Sequence, residues 1–267
     1  MAARKNPLER RRWWDATWNP VSGCKRADCS CDNCYAAFEA ANLQTSTGTE
    51  LYRGTAEYVD GKPVWTGRLN EWPPEHPGWN WPLTWRNPEP PLLGPGQSSL
   101  LWCGSMTDVF LPGRSPQTID RIFTTVAHSR HIGLVVTKRP KQMAAYFSRQ
   151  PAWWRERFWL GFSAGEQRPF DVRWKRMRPL AEQGWLVFVS LAPLLEEIIL
   201  PPDFLALAKW VTCGGEQHPG NREMDLAWAR SLRDQCHGAT PRIPIFVKQA
   251  TRGWLPPGLI LREFPKV

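Results

Sequence analysis

The sequence has no long apolar segment. No run approaches the roughly 20 apolar residues that cross a bilayer, and the basic N-terminus, residues 1–12, lacks the apolar stretch of a secretory signal. Cys103, Cys213 and Cys236 stand alone, so the seven cysteines do not form the pattern of a disulfide framework. We therefore expect no membrane association and a reducing cytoplasm, where clustered cysteines more often bind metal than form disulfides.

Positive charge and tryptophan are both abundant. The formal net charge is +9, and the chain contains 17 tryptophans. Excess positive charge favours a polyanionic partner, nucleic acid first, and exposed tryptophans can stack on unpaired bases. Because large aromatic side chains are mostly buried, a core position is the favoured interpretation for any single tryptophan. Composition thus suggests nucleic acid without identifying it.

The length of 267 residues fits one large α/β domain or two small ones. After a basic tail over residues 1–12, we expect one domain over residues 13–267. A helix is predicted from Tyr35 to Leu43. Residues 44–98 are dense in Pro, Gly and Trp, which excludes long helices and central strands but is too aromatic for a disordered linker. We predict an irregular, ordered insertion there.

Short apolar runs recur from residue 99, about 25–33 residues apart, which is the length of one strand–helix unit. The runs begin at Leu100, Ile132, Phe158, Trp185, Trp210 and Ile243, and a first strand is expected near Ala16–Val21. Continuous apolar runs indicate strands buried on both faces of a parallel sheet. Seven such strands predict an α/β fold, a full or partial (β/α) barrel.

Small, hydroxylic or charged residues follow each run after the first strand. These strand tails are Gly104–Asp108, Thr137–Pro140, Ser163–Glu166, Ser190–Pro193, Gly214–Glu216 and Lys248–Gln249. One such tail is most often an ordinary strand-to-helix turn with a capping residue. In β/α barrels, however, the carboxyl ends of the strands form the active site, so six polar tails beside a cysteine loop favour a functional site.

The cysteine loop constrains the chemistry most. Cys24, Cys29, Cys31 and Cys34 lie within eleven residues, with the spacing C-x4-C-x-C-x2-C. Thiolates this close repel one another unless a soft cation lies between them, and zinc or an iron–sulfur cluster suits the ligand set. Four ligating cysteines would make a closed structural zinc site, whereas three on a four-iron cluster would leave one iron open. Spacing leaves both possible, and the barrel context favours iron.

Two segments of this loop carry a resemblance, Trp18-Asn-Pro-Val-Ser-Gly-Cys24 and Cys31-Asp-Asn-Cys34-Tyr35-Ala. They resemble the signature of a phage and prophage family of unknown function with a C-x6-C-x2-C motif, which is similar to radical S-adenosylmethionine (SAM) enzymes and distantly to spore photoproduct lyase. Further blocks match that family in order: Trp65–Gly67, Pro82–Arg86, Ser105–Phe110, Leu134–Pro140, Ser190–Leu195, Gly214–Glu216 and Phe246–Gln249. The resemblance therefore covers nearly the whole chain.

The resemblance implies a barrel of the radical-SAM type, with a [4Fe–4S] cluster on Cys24, Cys31 and Cys34. The open iron would chelate SAM, and reduction of the cluster would yield a 5′-deoxyadenosyl radical that abstracts hydrogen from the substrate. A flavodoxin or ferredoxin would be the reductant, and a protein encoded nearby could complete the site. Cys29 is extra relative to the family, as a spare thiol, a fourth ligand or a redox partner, and Ala192 replaces the usual glutamate of its block.

The strand tails supply candidates for SAM binding. Ser105 and Asp108 are placed to meet the ammonium group of SAM, with a helix N-cap as the alternative for Asp108. Lys138 could meet the SAM carboxylate or a substrate phosphate, with a surface cation as the alternative. Ser163 and Glu166 are further candidates because their tail opens onto the same site.

The last two tails supply the remaining candidates. Gly214 and Gly215 would let the backbone approach a ligand closely, while Glu216 reaches a ribose or an amine. Glu216 and Lys248 are the candidate catalytic residues, although Lys248 could equally be a buried, partnered lysine.

Three functions remain open on this evidence. The first is a radical SAM enzyme that acts on a nucleic-acid base, in modification or repair. The second is a non-catalytic nucleic-acid-binding protein with zinc on Cys24, Cys29, Cys31 and Cys34. The third is a barrel that keeps its cluster as an electron carrier or sensor. Metal identity separates the first two, and SAM cleavage separates the first from the third.

Overall fold

The computed structural model describes residues 12–46, 50–217, 221–251 and 253–266. The strands are β1 (Ala16–Trp18), β2 (Val21–Ser22), β3 (Ala56–Val59), β4 (Lys62–Trp65), β5 (Asn70–Glu71), β6 (Leu100–Cys103), β7 (Ile132–Thr137), β8 (Phe158–Ser163), β9 (Leu186–Leu191), β10 (Trp210–Cys213) and β11 (Ile245–Val247). The α-helices are α1 (Tyr35–Ser46), α2 (Trp81–Thr84), α3 (Pro116–Ala127), α4 (Pro140–Phe147), α5 (Gln167–Glu182), α6 (Pro202–Leu207) and α7 (Leu226–Gly238).

Seven strands form one parallel sheet in the order β1-β6-β7-β8-β9-β10-β11. Successive strands of this sheet are joined by connections that contain a helix. The register aligns Trp102 of β6 with Thr17 of β1 on one side and with Leu134 of β7 on the other. Within the described ranges β1 does not pair with β11, so the sheet curves into an open barrel. The predicted α/β fold with a partial (β/α) barrel is confirmed.

Helices cover the convex face of the sheet. Because the strands are buried on both faces, they are continuous apolar runs. All six residues of β8 are buried, for example. Helix α3 begins where the Ser115 hydroxyl accepts from the Thr118 amide and Pro116 takes the first helical position. Gly161 of β8 must be glycine, because a Cβ there would lie 2.4 Å from the ring of Phe188.

Aromatic side chains fill the lower part of the concave face. The buried residues of this cluster are Trp13, Leu100, Ile132, Leu134, Trp159, Phe188, Trp210 and Phe246. Trp13 precedes β1 and plugs the barrel, with its ring centroid 5.7 Å from that of Trp210 and 4.9 Å from that of Trp102. Residues 1–11 of the predicted basic tail lie outside the described residues.

The segment between α1 and β6 consists of short strands, short helices and turns, and its residues 47–49 are not described. It contains the antiparallel β3–β4 hairpin, whose turn places Asp60 and Gly61 at φ 48° and 73°. A β2–β5 ribbon and helix α2 complete it. The prediction of an irregular insertion overlooked the hairpin.

All 17 tryptophans fall in described positions, and only Trp153 and Trp254 are exposed. Eight are buried in the core and the other seven are partly buried. In the described residues, none of the helices combines the length and the apolar character needed to span a membrane.

Candidate active site

The strand tails surround one cavity of about 470 Å³ at the carboxyl ends of the parallel strands. Six sheet strands each contribute a residue to its lining, namely Ser105, Lys138, Ser163, Ser190, Glu216 and Lys248. Cys24, Cys31 and Cys34 also line it. The volume is in the usual range for small-molecule sites. The predicted convergence of strand tails and cysteine loop thus takes place in one pocket.

Lys138, after β7, is the cation beside the cysteine loop. Its Nζ lies 3.1 Å from the Sγ of Cys31, which also accepts from the Ala27 amide at 3.5 Å. Burial by itself would raise the pKa of the Cys31 thiol, but Lys138 and nearby backbone amides outweigh it, and the pKa is lowered. The thiolate form of Cys31 is therefore stabilised relative to that of an ordinary cysteine.

Cys29 has a different environment from the other three cysteines of the loop. Cys29 is not one of the described residues that line the cavity, and its hydrogen-bond partner is the Glu166 carboxylate. Burial, then Glu166, raises the pKa of Cys29 to about 11. At Cys24, burial and then the charge of Asp108 raise the pKa to about 12. Cys29 is thus held as a neutral thiol outside the pocket.

Asp28 anchors the cysteine loop to the barrel. It caps the short 3-10 helix Cys29–Cys31, accepting from the Ser30 amide at 3.0 Å, and it forms an ion pair with Arg173 of α5. Lys138 Nζ lies 3.7 Å from the same carboxylate. Burial would raise the pKa of Asp28, but Lys138, Ser30 and Arg173 together lower it to about 2. These contacts of Asp28 therefore fix the position of the cysteine loop on the barrel.

Asp108 joins the tails of β6 and β7. Its carboxylate accepts from the Thr137 hydroxyl at 2.7 Å, the Lys138 amide at 2.9 Å and the Arg139 guanidinium at 3.3 Å. It is therefore neither a helix N-cap nor an unengaged acceptor. Its predicted contact with the SAM ammonium remains a prediction.

Ser105, on the same tail, is held by residues that precede it in the chain. The Asn19 side-chain amide donates to its hydroxyl at 3.0 Å, and the Tyr35 hydroxyl donates to its carbonyl at 2.6 Å. These bonds connect the end of β1, the start of α1 and the tail of β6. Ser105 therefore faces the cavity in a fixed orientation.

Glu216 is a clamp between the cysteine loop and β10. It accepts from the Asn33 side chain at 2.8 Å and pairs with Arg222, whose guanidinium also donates to the Cys29 carbonyl at 2.9 Å. Burial opposes ionisation, but the hydrogen bonds from Arg222 and Asn33 prevail and lower the pKa of Glu216. These contacts give Glu216 a structural role, and its catalytic role stays a prediction.

Gly214 and Gly215 are small because the chain itself passes beside them. A Cβ on Gly215 would lie 2.5 Å from the Thr251 amide nitrogen, and one on Gly214 would lie 3.1 Å from side-chain atoms of Gln249 and Lys248. Close packing of residues 248–251 thus restricts both positions to glycine. Gly215 also lines the cavity, and the predicted approach of a ligand to the two glycines stays a prediction.

Lys248 forms part of the cavity floor. Its Nζ donates to the Ser190 hydroxyl at 2.9 Å and lies 4.4 Å from the ring centroid of Trp13. In the part of the chain that the structure describes, no carboxylate lies within 4.0 Å of this nitrogen. Burial lowers the pKa of Lys248 to about 7. The amine is therefore far less basic than that of a surface lysine.

Four residues that organise the site were missed by the sequence analysis. Asn19 directly follows β1 and Asp28 lies inside the cysteine loop, so their positions alone could have drawn attention to them. Arg222 and Arg173 offer no local signal. Arg173 lies in mid-helix, yet it contacts both Asp28 and the carbonyl of Ser163, the latter at 2.6 Å.

These observations define a class of protein: an open β/α barrel with a cysteine-rich loop above the carboxyl ends of its strands. The chain belongs to the family described as "Protein of unknown function (DUF5131)", which matches residues 9–258. No curated protein matches the sequence. The phage association that the resemblance implied stays a prediction.

Two structures of spore photoproduct lyase are similar to the chain. One, of the lyase complexed with dinucleoside spore photoproduct, shares 13% identity over 87% of this chain and 75% of the lyase, with a TM-score of 0.44. The other, of a mutant with bound AdoMet and dinucleoside spore photoproduct, shares 12% identity over 84% and 66%, with a TM-score of 0.43.

Proposed function

We propose that the protein is a radical SAM enzyme that holds a [4Fe–4S] cluster on Cys24, Cys31 and Cys34 and acts on a nucleic-acid base, in modification or repair. One observation carries this proposal. Those three thiols line the cavity at the carboxyl ends of the strands, while Cys29 lies against Glu166 outside the lining. The division reproduces the C-x6-C-x2-C motif and leaves the fourth cysteine out.

The donor set fits a cluster better than a single ion. Across the described residues, no three His, Cys, Asp or Glu side chains are grouped so that they could hold one metal ion. A tetrahedral zinc site needs its thiolates around one ion. A four-iron cluster instead distributes its thiolates over different irons, so three thiols around one cavity suffice. The four-cysteine zinc alternative is therefore not favoured.

When bound and reduced, the cluster and SAM would supply a 5′-deoxyadenosyl radical for hydrogen abstraction. The protein's own residues prepare the site for that chemistry. Lys138 stabilises the Cys31 thiolate, and Asp108 fixes the backbone of Lys138.

Candidate SAM ligands remain those of the strand tails. Ser105 and Asp108 are proposed for the ammonium group and Lys138 for the carboxylate. Ser163, which lines the cavity, is proposed as a further contact, whereas Glu166, the other predicted residue of that tail, lies outside the lining.

A nucleic-acid substrate is supported by charge and by aromatic lining. The net charge is +9, and Arg12 and Arg139 both border the cavity. Trp14 and Trp65 also line it and are only partly buried, so flat apolar surfaces are available to a base. A flavodoxin or ferredoxin as reductant and a partner protein encoded nearby are further parts of the proposal.

Electron paramagnetic resonance tests the cluster assignment. The protein is purified anaerobically, reconstituted with iron and sulfide, reduced with dithionite and measured with and without SAM. We expect a reduced four-iron signal that changes shape when SAM is added, and formation of 5′-deoxyadenosine in the same samples. Protein that carries zinc and gives no such signal would refute the proposal.

Single cysteine variants sharpen this test. Cys24→Ala, Cys31→Ala and Cys34→Ala should each lose most of the bound iron, since each removes one of the three thiolates. Cys29→Ala is the matched control from the same loop and should keep the iron and the SAM-dependent signal. Loss of the metal in Cys29→Ala would instead support a four-cysteine site.

A further inference from the structure

The floor of the cavity contains the buried amine of Lys248, which has few hydrogen-bond partners. Lys248 is 8% exposed, and its Nζ has the Ser190 hydroxyl as its hydrogen-bond acceptor. An ammonium can donate three hydrogen bonds. Because no carboxylate of the described ranges lies within 4.0 Å of this nitrogen, the amine retains donor capacity on the cavity side.

A second donor borders the same floor. The indole Nε1 of Trp102 is buried and has no hydrogen-bond partner in the described structure, although Trp102 lines the cavity. Leaving a buried donor unpaired is costly. Trp102 and Lys248 both contact Trp13, whose ring centroid lies 4.9 Å from that of Trp102 and 4.4 Å from Nζ of Lys248. The Trp102 nitrogen has almost no surface open to the cavity, so Lys248 is the donor that the floor presents, beside the ring of Trp13.

The surroundings of these donors select a neutral ligand group over an anion. Trp13, Trp14 and Val136 make this part of the wall flat and apolar. A phosphate carries at least one full charge, and its burial here would require a fully charged partner. Burial lowers the pKa of Lys248 to about 7, which weakens its attraction for an anion. A carbonyl oxygen accepts hydrogen bonds without bringing a charge.

We propose that the cavity floor recognises the carbonyl-bearing edge of a keto base, such as uracil, thymine or guanine, through the amine of Lys248. Amino bases present an NH₂ group at the corresponding edge, which would oppose this donor. The aromatic floor accommodates the planar ring, while Arg12 is available to the phosphate backbone outside it. This inference rests on the proposed function and names its substrate class.

Binding of two matched oligonucleotides tests the inference. Fluorescein-labelled dU6 and dC6 have the same backbone, charge and ring size, and they differ in the keto or amino group at position 4 of the base. Affinities are measured by fluorescence anisotropy at one fixed salt concentration, because backbone contacts depend strongly on salt. We expect dU6 to bind about tenfold more tightly than dC6, as for one base-edge contact.

Two variants separate recognition from folding. Lys248→Met removes the donor and should reduce the preference for dU6 to about twofold. Lys175→Met, an exposed lysine of α5, is the matched control and should keep the full preference. Circular dichroism verifies that each variant is folded.

The outcomes distinguish this inference from the proposed function. Equal affinity of the wild type for dU6 and dC6, or an unchanged preference in folded Lys248→Met, would overturn the keto-base inference alone. If neither oligonucleotide binds, the nucleic-acid part of the proposed function is overturned and the inference with it. The cluster measurements are independent of both results.

Discussion

Replacing Lys248 by methionine should stabilise the protein at neutral pH. A free lysine has a pKa of 10.5, and burial lowers the pKa of Lys248 to about 7. Since one pKa unit corresponds to about 1.4 kcal/mol, burial of this amine costs about 5 kcal/mol below pH 7. Methionine has similar length and no charge. It loses the hydrogen bond to Ser190, which is worth about 1 kcal/mol.

The gain should shrink as the pH rises. Between about pH 7 and pH 10.5 the unfolded chain binds a proton at this lysine that the folded protein has released, so wild-type stability increases through that window. The expected stabilisation by Lys248→Met is about 3–4 kcal/mol at pH 6.5 and about 1 kcal/mol at pH 9. The neighbouring ionisable groups are constant there. Burial raises the pKa of Cys213 to about 12, and the guanidinium of Arg262, which contacts the Lys248 carbonyl, stays charged.

Urea unfolding followed by tryptophan fluorescence measures this effect, with wild type and variant compared at each pH under reducing conditions. Lys175→Met, the same substitution at an exposed position, should show no pH-dependent difference from the wild type. A Lys248→Met variant that is destabilised at pH 6.5, or whose difference from the wild type is constant with pH, would refute the reasoning. In that case Lys248 is an ordinary charged lysine with a partner.

Three further substitutions test the loop anchor, the sheet and the plug. Arg173→Met should cost about 2–3 kcal/mol and lower cluster loading, because it removes the guanidinium that pairs with Asp28 and leaves Lys138 as the remaining cation beside that carboxylate. Arg178→Met on the exposed side of α5 should preserve both stability and loading, and equal loading in the two variants would contradict this. Gly161→Ala should destabilise by about 2 kcal/mol in urea unfolding, since its Cβ would overlap a ring. Gly238→Ala, with open space around its Cβ, should be neutral or stabilising, and a reversed order would be a contradiction. Trp13→Ala should cost about 3–5 kcal/mol, and a loss below 1 kcal/mol would show that the barrel does not need its plug.

The sheet was predictable because each parallel strand carries its own signal. A run such as that of β8 is apolar throughout, and the spacing of successive runs fits one strand–helix unit. The open edge between β1 and β11 was not predictable from the sequence, since closure depends on strand tilt and stagger rather than on any residue type. The β3–β4 hairpin carried the Asp60-Gly61 turn signal, but the surrounding prolines and tryptophans obscured it.

The site was predictable to the level of its strand tails and no further. Chain position alone placed Lys138 and Lys248 at the carboxyl ends of strands, where the structure has them. Their different environments depend on partners distant in sequence, Asp28 for one and Trp13 for the other. The same holds for Glu216, whose clamp on Asn33 joins residues that no local pattern connects. Long-range contacts thus decide the chemistry of residues that local patterns locate.

The plug has a consequence for synthesis of the chain on the ribosome. Trp13 leaves the exit tunnel early, but two of its ring partners, Phe188 and Trp210, follow it by 175 and 197 residues in the sequence. Until they arrive, one of the largest apolar side chains of the protein lacks part of its native contacts and is open to incorrect ones or to a chaperone. The final consolidation of the barrel therefore waits for the C-terminal half, although the loop that carries the cysteines is among the first segments to emerge.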